Sequence, residues 1–277
     1  MRPLVSVVMP VHSESIAILD EAVQSILRQT YRSWELLVVL DNPSRDDVRR
    51  HLRTVMNKDS RVRTLFPKRN LGRARARNLA VETAKGEYIA ILDADDVALP
   101  HRLRRQVDYM QSHPTVDLLF GGAEVIDTAD KKRRVIRISA EKIRDLRRTL
   151  FTENVLLHPT MLARRSVLLA YPYDGAFVRS QDYEFWLRCF TAQKKFAALP
   201  EPLIKYRVPA SEDFDARIER QQVYEQFAVR AFAKHWSSFW QNPYYLAAFS
   251  RHLFLRAVTV LTPKPLLRLS LRWKNPR

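Results

Sequence analysis

The sequence predicts an α/β protein: a mostly parallel sheet flanked by helices, with a helical extension at its C-terminal end. Three observations predict it. Short, continuously apolar runs at Leu4 to Met9, Trp34 to Leu40 and Tyr88 to Leu92 read as strands buried on both faces of a sheet. The second and third of these stop abruptly at carboxylates, Asp41 and Asp93, as strands do where a sheet's carboxyl edge meets a ligand crevice. Between the first two runs, Ile16 to Gln29 carries Ile18, Ala22, Ile26 and Leu27 at helical spacing, and strand, helix, strand with short links is a right-handed parallel unit.

The elements follow in order. The first strand delivers Pro10-Val11-His12-Ser13-Glu14 to the same edge that receives Asp41 from the second. Asp41 either caps the turn Asp41-Asn42-Pro43-Ser44 or faces a ligand there. Asp46 to Met56 is expected as a helix and Val62 to Phe66 as a short strand. Asn70 is the expected N-cap of a helix running to Lys85, with Gly86 as its left-handed C-terminal residue. Arg73 and Arg77 lie four apart near the positive end of that helix, a suitable place to meet a diphosphate. Pro100 to His113 reads as a basic amphipathic helix with Leu103, Val107 and Met110 inward. Val116 to Phe120 is a strand closed by a turn at Gly121-Gly122, and Glu124 to Ile138 supplies further strand.

Tyr88 to Leu92 runs straight into Asp93-Ala94-Asp95-Asp96. Alternation along an extended chain points Asp93 and Asp95 the same way, and carboxylates so close repel unless a cation sits among them. A divalent metal, Mn2+ or Mg2+, is the economical explanation, because such sites take one or two protein carboxylates and fill the rest with water and phosphate oxygens. Asp96 is assigned to capping the helix that begins near Pro100.

Beyond Ser139 the text changes character. His158-Pro159-Thr160-Met161 precedes a strand-like Leu162-Ala163, and a His beside Pro is more often a packed residue than a ligand. In Gln181-Asp182-Tyr183-Glu184-Phe185-Trp186-Leu187-Arg188, the residues Tyr183, Trp186, Leu187 and Phe190 give a buried helix face with Asp182 in its first turn. An acid there has an innocent use as cap and dipole partner. Glu201 to Arg207 reads as a strand. Gln222 to Trp240 and Tyr244 to Leu261 read as helices, and Leu266 to Trp273 as an amphipathic basic segment.

Composition bounds the function. The chain has 277 residues, 46% of them hydrophobic, enough for a substantial core. None of its five glycines forms Gly-x-Gly, and Gly-Lys-Ser/Thr is absent, so neither a dinucleotide fingerprint nor a Walker-type loop is present. One cysteine, Cys189, rules out an internal disulfide framework and a cysteine-rich zinc site. Pro10 interrupts the first apolar run and Arg256 the longest late one, so neither a signal peptide nor a spanning helix is expected. The expected location is cytoplasmic, at most peripheral on the cytoplasmic face of a membrane. A net charge of +17, with eleven Lys/Arg from Arg217 onward, fits nucleic acid, anionic lipid or phosphorylated substrates. The basic tail suits a membrane interface, and packing on its own domain or on a second subunit suits it equally.

The motifs from Asn70 to Asn78, Lys85 to Tyr88 and Asp93 to Asp96, with Asp182-Tyr183 and Trp186-Leu187-Arg188, resemble in order and spacing the family-2 glycosyltransferases over residues 4 to 207. The resemblance implies a Rossmann-like, GT-A type catalytic domain at 1–210. Its nucleotide-sugar half is about 1–138, its acceptor half about 139–210, and a basic helical extension occupies 211–277. It implies an inverting transfer from a nucleotide-diphosphate sugar, UDP-, dTDP- or GDP-linked, to a saccharide or lipid-linked saccharide, in bacterial surface polysaccharide or glycolipid synthesis. The metal would sit on Asp95 with Asp93. Pro10, His12, Glu14, Asp41, Arg73, Arg77, Asp93, Ala94 and Asp95 would bind the donor. The family's usual Asp-Asp-Gly-Ser after the second strand is here Leu40-Asp41-Asn42-Pro43-Ser44. The family's general base falls on Asp182, with Gln181 in place of the usual preceding acid, and His158 and Arg207 are acceptor-site candidates. Two rivals remain in view: a basic nucleic-acid-binding or processing protein, which lacks any recognition motif, so that no nucleic acid is expected; and a catalytically silent nucleotide-sugar-binding module.

Overall fold

The computed structural model describes residues 2–152, 155–208 and 226–261. Among these residues nine strands form one sheet: β1 (Val5–Val11), β2 (Trp34–Leu40), β3 (Val62–Leu65), β4 (Tyr88–Ile91), β5 (Val97–Ala98), β6 (Leu118–Ile126), β7 (Lys132–Ile136), β8 (Leu162–Arg164) and β9 (Phe196–Arg207). Its order is β3-β2-β1-β4-β8-β6-β9-β5, with β7 against β6. The first four pair in parallel, β8 runs antiparallel between β4 and β6, and β9 is again parallel to β6. The carboxyl ends of β1, β2, β4, β6 and β9 therefore share one edge.

Side-chain alternation divides each central strand between two cores. Val5, Val7, Met9 and Val11 of β1 face one side together with α1 (Ile16–Leu27), α2 (Asp46–Lys58) and α4 (Arg102–Ser112). Val8, with Leu37 and Val39 of β2 and Ile89 and Ile91 of β4, faces the other. That second core is closed by α3 (Arg73–Thr83), α5 (Ala140–Arg144), α6 (Leu146–Thr152), α7 (Arg165–Ala170) and α8 (Gln181–Thr191). Both faces are covered, which is why the strands read as unbroken apolar runs.

The C-terminal helices belong to this second core. They are α9, described over 226–234, α10 (Trp236–Phe239) and α11 (Pro243–Leu261). Phe151 of α6 meets Phe232, Phe239 and Tyr245 with ring centroids 6.2, 5.2 and 5.6 Å away. Residues 226–261 are thus packed on the sheet domain. The basic segment at Leu266 to Trp273 lies outside the described residues. Among those described, no helix is long and apolar enough to cross a membrane.

Several local expectations are corrected. Gly121 and Gly122 are not a turn: both lie inside β6, where a Cβ on Gly121 would collide with Leu203 of β9. Gly86 is not left-handed. It is glycine because the backbone of Leu4 and Ser6 passes where a Cβ would stand, 2.6 Å from Ser6 N. The N-cap of α3 is Gly72, at φ +79° and ψ 153°, a conformation that only glycine adopts without strain. Asn70 holds the loop before it by accepting from Gly72 N–H at 2.9 Å.

Candidate active site

Two cavities open along the carboxyl edge. The first, of about 180 Å³, is lined by Pro10 at the end of β1, His12 and Glu14 after it, Asp41 after β2, Arg73 and Arg77 of α3, Asp93, Ala94 and Asp95 after β4, and Tyr206 and Arg207 of β9. The second, of about 410 Å³, is lined by Arg73, Arg77, Asp93, His158, Arg179, Gln181, Asp182 and Tyr206 among others. Arg73, Arg77, Asp93 and Tyr206 are common to both walls. Tertiary structure thus gathers the sequence candidates from seven segments into two adjoining spaces.

On the first side Asp41 is buried, and its Oδ1 accepts from Leu71 N–H at 2.6 Å, tying the end of β2 to the loop that starts α3. The turn after β2 is held instead by Asn42, whose Oδ1 accepts from Ser44 N–H and Oγ–H. Glu14 folds back on its own loop, accepting from His12 and Ser13 N–H at 2.7 and 3.1 Å. The His12 ring approaches the Asp41 carbonyl at 3.2 Å. A third space of about 430 Å³ continues from His12 and Asp41 past Asn70 to Arg75 and on to Phe177 and Val178.

The acidic loop is electrostatically divided. Burial alone would raise Asp93, but the Arg77 guanidinium, bonded to it at 2.7 Å, more than offsets this and holds its carboxyl below the ordinary range. Asp95 has no such partner: burial, then the charges of Asp93 and Glu14, push it up to about 6. Asp96 does not cap α4, which begins at Arg102 behind His101. It is fully buried, accepts from Arg207 N–H at 2.9 Å, and is raised well above a usual carboxylate by burial and by its two acidic neighbours. Arg102, at the start of the helix that reads as basic and amphipathic, is fully buried and donates to the Ile91 carbonyl at 2.7 Å. Burial lowers it to about 10. Its charge lies behind the carboxylates, where no sequence pattern reveals it.

Arg207 was expected on the acceptor side and stands elsewhere. It lines the first cavity, and its guanidinium is committed to the Asp95 and Asp127 carbonyls and to the carboxylates of Asp130 and Glu21. It buttresses the acidic loop, each of its three guanidinium nitrogens being bonded within the protein. Tyr206 beside it, which sequence reasoning passed over, walls both cavities and is pushed up to about 12 by burial and the acidic loop. Tyr206 and Arg207 both line the first cavity at the carboxyl end of β9, a position that the sequence marks only as a strand end.

On the second side, Ser180 takes a left-handed φ of +56° and turns the chain into α8, whose first turn carries Asp182. Asp182 is half-buried, and its Oδ1 accepts from Tyr183 N–H at 2.9 Å. His158 is buried in the turn His158–Thr160, shares a hydrogen bond with Tyr173 at 2.8 Å, and is held near 4 by burial and by Arg77, so it is neutral at neutral pH. Arg73 is exposed on both walls and makes no ion pair among the described residues.

A half-buried carboxylate pair, arginines at a helix N-terminus and a separate acid across a shared wall are the groups needed to bind a polyphosphate and act on a hydroxyl beside it. Comparison with known proteins agrees. The sequence pattern described as glycosyl transferase family 2 matches residues 6–171. An uncharacterized glycosyltransferase of Methanocaldococcus jannaschii is 36% identical over 276 residues, which is 100% of this chain and 95% of that protein. UDP-Glc:alpha-D-GlcNAc-diphosphoundecaprenol beta-1,3-glucosyltransferase WfgD of Escherichia coli is 31% identical over 188 residues, covering 66% of this chain and 68% of its own. Among solved structures, the mannosyltransferase PcManGT from Pyrobaculum calidifontis, in complex with GDP-Man and Mn2+, matches with a TM-score of 0.66 at 18% identity, over 98% of this chain and 79% of its own. The likeness in structure carries the GT-A fold, and the likeness in sequence carries the family: this chain belongs to glycosyl transferase family 2 and is a glycosyltransferase.

Proposed function

We propose that this chain moves a sugar from a nucleoside-diphosphate donor to an acceptor hydroxyl by a single displacement that inverts the anomeric carbon. The observation that carries the reading is the wall of Arg73, Arg77, Asp93 and Tyr206 common to the cavity of Asp95 and the cavity of Asp182. A donor whose diphosphate lies beside Asp95 would present its sugar to Asp182 across that wall.

Asp95 and Asp93 fit Mn2+ or Mg2+: both are hard oxygen donors, and the raised pKa of Asp95 marks negative charge that a cation would relieve. Among the described residues no three His, Cys, Asp or Glu side chains form a complete cage, so water and donor oxygens would fill the remaining positions. A divalent ion bound there supplies charge stabilisation to the departing diphosphate. Arg77, Arg73 and the N-terminus of α3 add fixed positive charge at the same place. Asp182 takes the acceptor hydroxyl's proton as the new C–O bond forms on the face opposite the breaking bond to the diphosphate, which leaves with that bond's electron pair. Pro10, His12, Glu14 and Asp41 border the nucleoside, and neutral His158 lines the acceptor space.

The catalytic domain is read as 1–210, divided near 138 into donor and acceptor halves, with an extension at 211–277. A lipid-linked saccharide acceptor is supported by the name of the Escherichia coli relative, which has a diphosphoundecaprenol acceptor, and the proposed setting is the cytoplasmic face of a bacterial membrane. UDP-, dTDP- and GDP-sugars are the donor candidates. The test is Asp182→Asn with a panel of nucleotide sugars. Turnover should fall at least a thousandfold while donor-dependent thermal stabilisation in Mn2+ stays within a few degrees of wild type; unchanged turnover overturns the assignment.

A further inference from the structure

We propose that the outer face of α10 and α11 is a docking surface for an anionic lipid bilayer. Trp236, Trp240, Tyr244, Leu246, Leu253 and Phe254 are between 38% and 66% exposed, and they are six of the nine large apolar side chains that the described residues leave exposed. All six fall within one stretch of nineteen residues. In α11, Tyr245, Ala248 and His252 turn inward, while Leu246, Leu253 and Phe254 follow the i, i+7, i+8 spacing of a single outward face. Trp236 lies beside that face, its ring 5.7 Å from Phe249 and 6.1 Å from Tyr245. A helix that is apolar on both its buried and its outward side requires a cover other than water.

Charge selects the cover. From residue 226 to 277 the chain contains no Asp or Glu, Lys234 turns inward onto Asp174 and Glu184, and Arg251 is exposed among the outward apolar residues of α11. Two copies meeting on this face would set Arg251 against helices that carry no acid to pair it. Acidic headgroups supply the missing sign. The two exposed tryptophans and Tyr244 are of the type that settles at the headgroup level with one end wet. Among the described residues no helix has the length and apolarity to cross a membrane, so the helix lies in the plane of the surface, its charges toward phosphate. This surface stands apart from the sugar-transfer site, and binding to it needs no turnover.

The test uses the full chain with Trp273→Phe, which leaves Trp236 and Trp240 as the exposed indoles of the described residues, Trp34 and Trp186 being 1% exposed. Vesicles of phosphatidylcholine with one-third phosphatidylglycerol should bind it at least tenfold more tightly than phosphatidylcholine alone. Lipids brominated in their acyl chains should quench its indole fluorescence. Adding Trp240→Ser and Phe254→Ser should lower vesicle binding at least tenfold and leave the thermal melt unchanged. Three results overturn the proposal: no quenching, unchanged binding by the doubly substituted protein, or a dimer in light scattering that these two substitutions convert to monomer, since that makes a second copy the cover.

Discussion

Arg77 Nη2 donates to Asp93 Oδ1 at 2.7 Å, joining the first turns of α3 to the acidic loop after β4 with a guanidinium only 3% exposed. Arg77 Nε and Nη1 are also buried and have no partner in the protein. One arginine thus restrains one carboxylate of the pair and keeps two donors in hand on the wall between the cavities. Its replacement by Met should cost about 2 kcal/mol in urea unfolding, below the usual range for a broken buried pair because Asp93 reaches solvent. Donor affinity should fall by at least tenfold in the same variant. Arg77→Met with wild-type donor affinity in a direct binding assay would remove Arg77 from the site.

Asp95 yields a pH prediction whose sign is fixed by its raised pKa of about 6. Its contribution to the stability of the metal-free protein is fully present below the ordinary carboxylate pKa and is lost as pH rises through about 6. At pH 7.5, Asp95→Asn should therefore stabilise the metal-free protein by about 1 kcal/mol, a figure reduced from the full shift because the group is partly exposed. The same change should abolish stabilisation by Mn2+ with a nucleoside diphosphate. In the wild type that stabilisation should weaken as pH falls below 6. Calorimetry with and without metal across pH 5 to 8 tests all three.

Glu184 has the opposite sign. It is fully buried two residues from Asp182 and accepts from Arg188 Nε at 2.9 and 3.0 Å, from Lys234 at 2.6 Å and from His235 at 3.2 Å. Burial would raise it, but these three donors hold it at about 2. Its stabilisation is present above the unfolded value and is lost as pH falls through about 2. Glu184→Gln should cost about 2 kcal/mol at pH 7, and the gap from wild type should narrow between pH 4.5 and 2. Chemical denaturation at several pH values reads it directly.

Gly72 has no atom within 4 Å of where a Cβ would stand, so the cost of Gly72→Ala comes from backbone conformation alone. At φ +79° that cost is about 2 kcal/mol. Arg73 follows immediately, so the variant should also weaken donor binding more than a surface substitution of equal stability cost. Titration calorimetry of a nucleoside diphosphate against a destabilised surface control separates the two effects.

Legibility followed the range of the cause. β1, β2 and β4 were readable because burial on both faces leaves an unbroken apolar run, and α1, α2 and α8 because one buried face leaves a helical period. The family motif around Asp93 and Asp182 was readable because chemistry concentrated in few residues leaves a compact signature. Gly121 and Gly122 misled because the sequence marks a small residue without saying whether a turn or a neighbouring strand requires it; here Leu203 requires Gly121 and the Ile136 carbonyl requires Gly122. Asp96 misled because capping is a local cause, while its real partner, Arg207 N–H, is 111 positions away.

By itself the sequence determined the alternation of strands and helices, the run of carboxylates closing the β4 strand, and the reaction family, since these rest on neighbours in the chain. Tertiary structure alone decided which carboxylate is restrained by Arg77 and which is left raised, that Arg102 and Arg207 are buried supports, and that Tyr206 stands between the cavities. The physical reason is that pKa, burial and the sharing of a wall depend on groups brought close in space from distant positions. No local pattern records that proximity.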